Sequence, residues 1–175
     1  MNTKLKTNVT IKNKQEIYDQ TKNWLKSNGL DIEDMDLNRP WGGFFVISPL
    51  QLKKFKSLFF EEVTFTDLQE NLKMSPKILL VGPEQKLSWQ YHHRRSELWK
   101  LVAGKAYYSR SENNFEQPSM EMIIGQLVEL GQGERHRLIG SREWGIVAEI
   151  WIHSDIKHPS DENDIIRLED NYDRK

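Results

Sequence analysis

The stretch Gln90-Tyr91-His92-His93-Arg94-Arg95-Ser96-Glu97, answered further along by Gly131-Gln132-Gly133-Glu134-Arg135-His136, decides how this chain reads. Successive side chains of an extended strand point to opposite faces, so Ser88, Gln90 and His92 share one face while Trp89, Tyr91 and His93 share the other. A bend after Arg94-Arg95 lets Glu97, at the start of the next strand, return a carboxylate to the same centre. His136 has to arrive from elsewhere in the fold. Two imidazoles, one carboxylate and one amide oxygen suit one borderline divalent ion, Zn2+ first, with Mn2+, Fe2+, Co2+ and Ni2+ also compatible. Four protein ligands leave positions open for water or substrate oxygens, as a catalytic metal requires. The strand phase sends His93 away from the centre, and it is not assigned as a ligand.

Outward from this core, branched and aromatic residues recur in short segments: 77–81, 87–92, 97–103, 105–109, 126–130 and 146–152. Gly82-Pro83, Gly104, Ser111 to Asn114, Gly133 and Gly140 punctuate them. Many short strands with frequent turns indicate a β-sandwich or barrel. Upstream the period changes. Asn13-Lys14-Gln15-Glu16 has capping-box spacing, and Ile17, Thr21, Trp24 and Leu25 follow at helical intervals before Asn28-Gly29 stops the helix. Ser48-Pro49 opens a second helix with Leu52, Phe55 and Phe59 on one face. The acidic run Asp31 to Asp36 is expected to be a loop. The division is an N-terminal helical extension over 1–37 and a β domain over 38–175.

At 175 residues the chain has the size of one domain. A net charge of −1 gives no basic excess for nucleic acid or an anionic membrane. The absence of cysteine excludes disulfides and thiolate zinc sites. With no signal-peptide pattern and no long apolar stretch, a cytoplasmic protein is expected.

The spacing resembles the two motifs of the cupin superfamily, G-x5-HxH-x4-E-x6-G and G-x5-PxG-x2-H, with Gln90 in the place of the first histidine and Gly131 in that of the proline. A Gln-His-Glu-His set is similar to that of mannose-6-phosphate isomerases. The match extends past the ligands. Leu87 to Trp99 resembles the LSLQxHxHRAEHW signature of the type II mannose-6-phosphate isomerase domain, Arg39-Pro40-Trp41-Gly42 its opening RPWG, and Asp164 to Arg174 its closing DIVRxEDxYGR. Small proteins with the RPWGG opening and QYHHRR core resemble a bacterial subgroup often labelled phosphoheptose isomerase. No attached nucleotidyltransferase is expected in this chain.

The resemblance implies a cupin, a double-stranded β-helix or jelly-roll-like barrel with N-terminal α-helices. It would be a homodimer by family habit, holding one divalent metal through Gln90, His92, Glu97 and His136. It implies a metal-dependent aldose-ketose isomerase acting on a small-molecule sugar phosphate, with mannose 6-phosphate and fructose 6-phosphate the first pair. Open alternatives are a heptose phosphate, a free aldose such as lyxose, and a non-catalytic sugar-binding or regulatory cupin. Carbonyl transfer from C1 to C2 needs a proton carrier, for which Glu149 and Lys100 are candidates, with strand phase counting against Lys100. Lys77, Ser88, Arg94, Arg137 and Arg167 are the substrate-binding candidates: Arg94, with Arg95 beside it, and Arg137 because a planar guanidinium grips phosphate bidentately, and Arg167 because the closing motif could cover the barrel mouth.

Overall fold

A computed structural model describes residues 9–10, 13–65 and 72–174; of the expected N-terminal extension, residues 1–8, 11 and 12 lie outside these. Helix α1 spans Lys14–Ser27, and its Asn13 cap accepts from the Gln15 amide at 2.9 Å. Ile17, Tyr18, Thr21 and Leu25 form its buried stripe. Strands β1 (Ile32–Asp36) and β2 (Gly42–Ile47) follow, paired antiparallel. The acidic segment expected to be a loop is therefore a strand. Sequence periodicity missed it because β1 is a mostly exposed edge strand, held by backbone hydrogen bonds to β2 rather than by a buried face. The boundary read between residues 37 and 38 falls in the link between these two paired strands.

Pro49–Gln51 forms a single 3₁₀ turn, and α2 runs over Leu52–Phe59 with Phe55 and Phe59 buried; Ser48 makes no side-chain capping bond. The remaining strands are β3 (Met74–Val81), β4 (Trp89–His92), β5 (Arg95–Ser111), β6 (Met120–Glu121), β7 (Leu127–Leu130), β8 (Arg135–His153) and β9 (Ile165–Glu169). All pairings are antiparallel in the order β1-β2-β3-β8-β4-β9, with β5 joined to β6, β7 and β8. The segments 97–103 and 105–109 merge into β5, and 146–152 is the second half of the longer β8.

The β5–β8 ribbon sets the architecture. Glu97 pairs with Trp151 at one end and Arg110 with His136 at the other. At about 3.3 Å per residue a straight ribbon would hold these pairs about 40 Å apart. Two bulges between Leu101 and Ala106 bend it, where Gly104 faces Gly145. Gly104 has φ +74°, and a Cβ there would stand 1.8 Å from the Trp144 carbonyl oxygen. Only glycine permits that approach. The ribbon thus curls into the barrel of a cupin fold, and its far end returns to its near end.

Alternation then sorts the core into two layers. Ile78, Leu80, Ile146, Ala148 and Ile150 face outward onto α1 and α2, against Ile17, Leu25, Phe55 and Phe59. Leu79, Val81, Leu101, Val147 and Trp99 face inward, with Trp41 and Leu138. Continuing the inward parity along each strand gives Lys77 on β3, Glu149 and Trp151 on β8, and Glu97 and Arg95 on β5. One end of the barrel is therefore apolar and the other end carries charge.

Candidate metal centre

His92 closes β4, Glu97 lies near the start of β5, and His136 opens β8 opposite Gln90. One donor atom from each of His92, Glu97 and His136 falls within 4.8 Å of the others, and all three residues are buried. His92 Nε2 is 3.1 Å from Glu97 Oε1, and His136 Nε2 is 3.5 Å from Glu97 Oε2. Gln90 joins them from β4: its Oε1 accepts from Ser88 Oγ at 2.6 Å, and its Nε2 lies 3.4 Å from His92 Nε2.

The donor set fits a divalent ion. His136 Nδ1 lies 2.9 Å from the Glu134 carbonyl, which makes that nitrogen the donor and leaves the Nε2 lone pair facing Glu97. Among the described residues this buried Nε2 has no hydrogen-bond partner. Burial pushes the His136 imidazole down to about 4, so it is neutral at pH 7. Burial alone would raise Glu97, but the Arg95 guanidinium and the two imidazoles hold it well below the usual carboxylate range. The centre offers two imidazoles and one carboxylate, with the Gln90 amide beside them, its nitrogen toward His92 and its oxygen on Ser88.

Arg95 belongs to this centre. Its Nε donates to Glu97 Oε1 at 2.7 Å, its Nη1 to Ser160 Oγ at 2.7 Å, and its Nη2 lies 3.0 Å from His92 Nε2. The guanidinium carbon sits 3.5 Å from the centroid of the Trp151 ring. Ser160 in turn donates to Asp164 Oδ2 at 2.6 Å, tying the arginine to the turn before β9.

The centre opens into a cleft of about 500 Å³, counting its open mouth, with Ser88, Lys77, Glu149, Trp151 and Arg167 on its wall. Lys77 and Glu149 are register neighbours across β3 and β8. Glu149 Oε1 accepts from Trp99 Nε1 at 2.9 Å, whereas its Oε2 is buried without a hydrogen-bond partner among the described residues. Burial, reinforced by the negative Glu97 and opposed by Lys77, pushes the Glu149 carboxyl up to about 8. Burial pushes Lys77 down to about 8 against the attraction of Glu149. The lysine nitrogen lies 3.0 Å from the Trp151 ring centroid.

The fold thus brings together Gln90, His92, Glu97, His136, Ser88, Lys77, Glu149 and Arg167. It does not bring three other candidates. Lys100 has the opposite parity to Glu97 and points to the helix side, where it pairs with Glu62. Arg137 has the opposite parity to His136 and binds Glu116 and Glu169 outside the barrel. Arg94 turns outward to Asp161 and Asp164. Of the adjacent pair Arg94 and Arg95, the guanidinium beside the centre is that of Arg95, which shares the parity of Glu97 and Trp99. Arg39, Glu162 and Arg174 also line the cleft; Arg39 and Arg174 stand in the opening and closing motifs, while nothing local in the sequence marks Glu162.

This inward-facing donor set on a curled antiparallel sheet defines a cupin. A family model, the mannose-6-phosphate isomerase C-terminal domain, matches residues 51–170, and the chain belongs to that family. No curated protein sequence matches it. Solved structures share the fold. A mutant of oxalate decarboxylase OxdC from Bacillus subtilis aligns at TM-score 0.56 and 12% identity, over 79% of this chain and 30% of its own. The capsular polysaccharide assembling protein CapF from Staphylococcus aureus aligns at TM-score 0.52 and 17% identity, over 89% and 38%. Vicilin from hazelnut, Corylus avellana, aligns at TM-score 0.51 and 13% identity, over 73% and 34%. The chain spans less than half the length of each of these proteins. Among its described residues no helix is long and apolar enough to cross a membrane.

Proposed function

We propose that the chain is a metal-dependent aldose-ketose isomerase acting on a sugar phosphate, with mannose 6-phosphate and fructose 6-phosphate as the first pair. The observation that carries this reading is the presence, along one cleft, of a metal-type donor set and a buried carboxyl, one of whose oxygens has no hydrogen-bond partner among the described residues. Moving a carbonyl from C1 to C2 takes a proton from C2 and delivers one to C1, moves the hydroxyl proton from O2 to O1, and passes through an enediolate. A divalent ion held by His92, Glu97, His136 and Gln90 would supply charge stabilisation for that enediolate and polarise the sugar oxygens.

The chain's own residues supply the rest. Glu149 Oε2 is the proton carrier: the residue lines the cleft, this oxygen has no hydrogen-bond partner among the described residues, and a carboxyl titrating at about 8 exchanges protons readily near neutral pH. Lys77 beside it compensates the carboxylate once the proton has left. The Trp99 indole N–H holds the other carboxylate oxygen and so fixes the orientation of the carboxyl. Arg95 neutralises Glu97 and keeps it ionised as a ligand. Trp41, Phe44 and Leu87 line the cleft with apolar surface that limits water.

The test is turnover of a panel of phosphorylated and free sugars by metal-stripped protein reloaded in turn with Zn2+, Mn2+, Fe2+, Co2+ and Ni2+. Interconversion of mannose 6-phosphate and fructose 6-phosphate, absent before reloading, is the expected result. Turnover of a heptose phosphate or free lyxose instead would change the substrate and keep the chemistry. Saturable sugar binding with no turnover under any metal would replace the isomerase by a sugar-binding cupin.

A further inference from the structure

We propose that Arg39 and Arg167, with Arg174 beside them, form a phosphate-dianion subsite at the mouth of the cleft, and that Glu162 is the internal anion which the phosphate displaces. The three arginines come from distant parts of the chain, the segment before β2, strand β9 and the C-terminal turn, yet all line the one cleft. Arg167 stands opposite Gln90 in the β4–β9 register, one strand from the metal centre. This assignment rests on the reading of the cleft as a sugar-phosphate site, and it places the phosphate at the mouth with the carbonyl end inside.

Arg39 is pre-oriented. Its Nε pairs with Asp36 at 2.8 Å, and its guanidinium carbon lies 5.5 Å from the Phe44 ring centroid, which leaves the Nη groups turned to the mouth. There one oxygen, Glu162 Oε2, is 3.7 Å from Arg39 Nη2 and 3.5 Å from Arg167 Nη2. Charge-assisted hydrogen bonds run at about 2.7–2.9 Å, so a single carboxylate oxygen spans the two guanidiniums without closing well on either. A phosphate offers three oxygens on a larger tetrahedron and closes on both. Arg174 is held by Asp170, so it contributes its charge rather than free donors. Its field and that of Arg39 act on Arg167, which burial already disfavours as a cation.

Glu162 is built to leave. Its side chain is 54% exposed, and it sits on the 3₁₀ turn Glu162–Asp164. That turn is pinned on both sides: Asp161 accepts from the Asn163 amide, and buried Asp164 accepts from the His93 and Arg94 amides. The carboxylate can therefore swing into solvent while the backbone stays. The competing reading is a structural latch, in which Glu162 does no more than tie β9 to the segment before β2.

Calorimetric titration of inorganic phosphate into the full chain separates the two, because it requires no turnover. The subsite predicts saturable binding by wild type, at least ~10-fold weaker in R39Q and R167Q, each lacking a charge-assisted bond, and several-fold tighter in E162Q. R167K, which keeps the charge but not the planar fork, should fall between, and it covers the case of R167Q failing to fold. No saturable binding by wild type, or equal phosphate affinity in wild type, R39Q and E162Q with only a lowered melting point in E162Q, would overturn the subsite. If the affinities follow this order and no sugar phosphate turns over, the isomerase reading falls and the subsite stands. If a sugar phosphate turns over and KM is unchanged in R39Q and R167Q, the subsite falls and the isomerase stands.

Discussion

Arg95 Nε and Glu97 Oε1 lie 2.7 Å apart on the inward face of β5, and the two side chains are only 1% and 2% exposed. Each charge is tolerable in the interior because the other is there. Removing one partner of such a pair costs more than the pair itself contributes, since it strands a desolvated charge. R95M should therefore destabilise the protein by about 3–5 kcal/mol in urea unfolding. Added Zn2+ should recover more stability in R95M than it adds to wild type, because the ion replaces the lost positive charge. Equal midpoints for R95M and wild type would show that Glu97 is neutralised by something else.

His136 contributes the buried Nε2, without a hydrogen-bond partner among the described residues, on which the fit of a metal rests. Wild type should hold one divalent ion per chain after dialysis, and H136A should hold none while remaining folded by circular dichroism. An ion present at about 100 times its dissociation constant stabilises the native state by about 2.7 kcal/mol. H136A should show none of that gain when zinc is added. Wild-type metal content in H136A would refute the ligand assignment.

Glu149 imposes a pH dependence whose sign is determined. Burial first and Glu97 second raise its folded pKa from the ordinary 4.5 to about 8. Between those values the unfolded chain has released a proton that the folded chain retains. Stability from this group is thus complete below pH 4.5 and is lost as pH rises towards 8. Lys77, depressed from 10.5 to about 8, acts oppositely: folded and deprotonated above 8, it adds stability as pH rises from there to 10.5. E149Q should abolish the decline below pH 8 in thermal unfolding, and an unchanged slope would deny the buried protonated carboxyl. In the isomerase reading E149Q should also lose at least ~100-fold in kcat, the usual range of general acid-base contributions.

Two glycines with positive φ separate the bend of the ribbon from ordinary turn geometry. Gly104 (φ +74°) meets the Trp144 carbonyl oxygen at 1.8 Å from a built Cβ, whereas Gly125 (φ +81°) meets nothing within 4 Å. G125A should cost only about 1 kcal/mol of backbone strain. G104A must also push apart the strands at the bend, and a loss above about 4 kcal/mol is expected. Comparable melting points for the two variants would remove the bend from its place in closing the barrel.

Strand alternation made much of this architecture legible. It put Ser88, Gln90 and His92 on one face, and the fold keeps them together. The same rule, applied to Arg95, Lys100 and Arg137, separates the inward arginine from two residues that point elsewhere. Arg94 lies on the turn, where alternation does not apply, and its outward direction comes from Asp164. Strand β1 stayed hidden because its side chains carry no burial pattern, and β9 because its half-buried residues give only a weak alternation.

Residue type and parity are local, and the sequence by itself determined them: which side chains can bind a metal, which strand face each occupies, and the family to which their spacing belongs. The meeting of those side chains is not local. His136 and Glu97 sit at opposite ends of the β5–β8 ribbon, and only its curl at Gly104 and Gly145 brings them within 3.5 Å. Arg39, Arg167 and Glu162 share one mouth for the same reason. Their approach is set by how β2, β4 and β9 pack around the closed sheet, a summed consequence of burial along the chain that no short stretch of residues encodes.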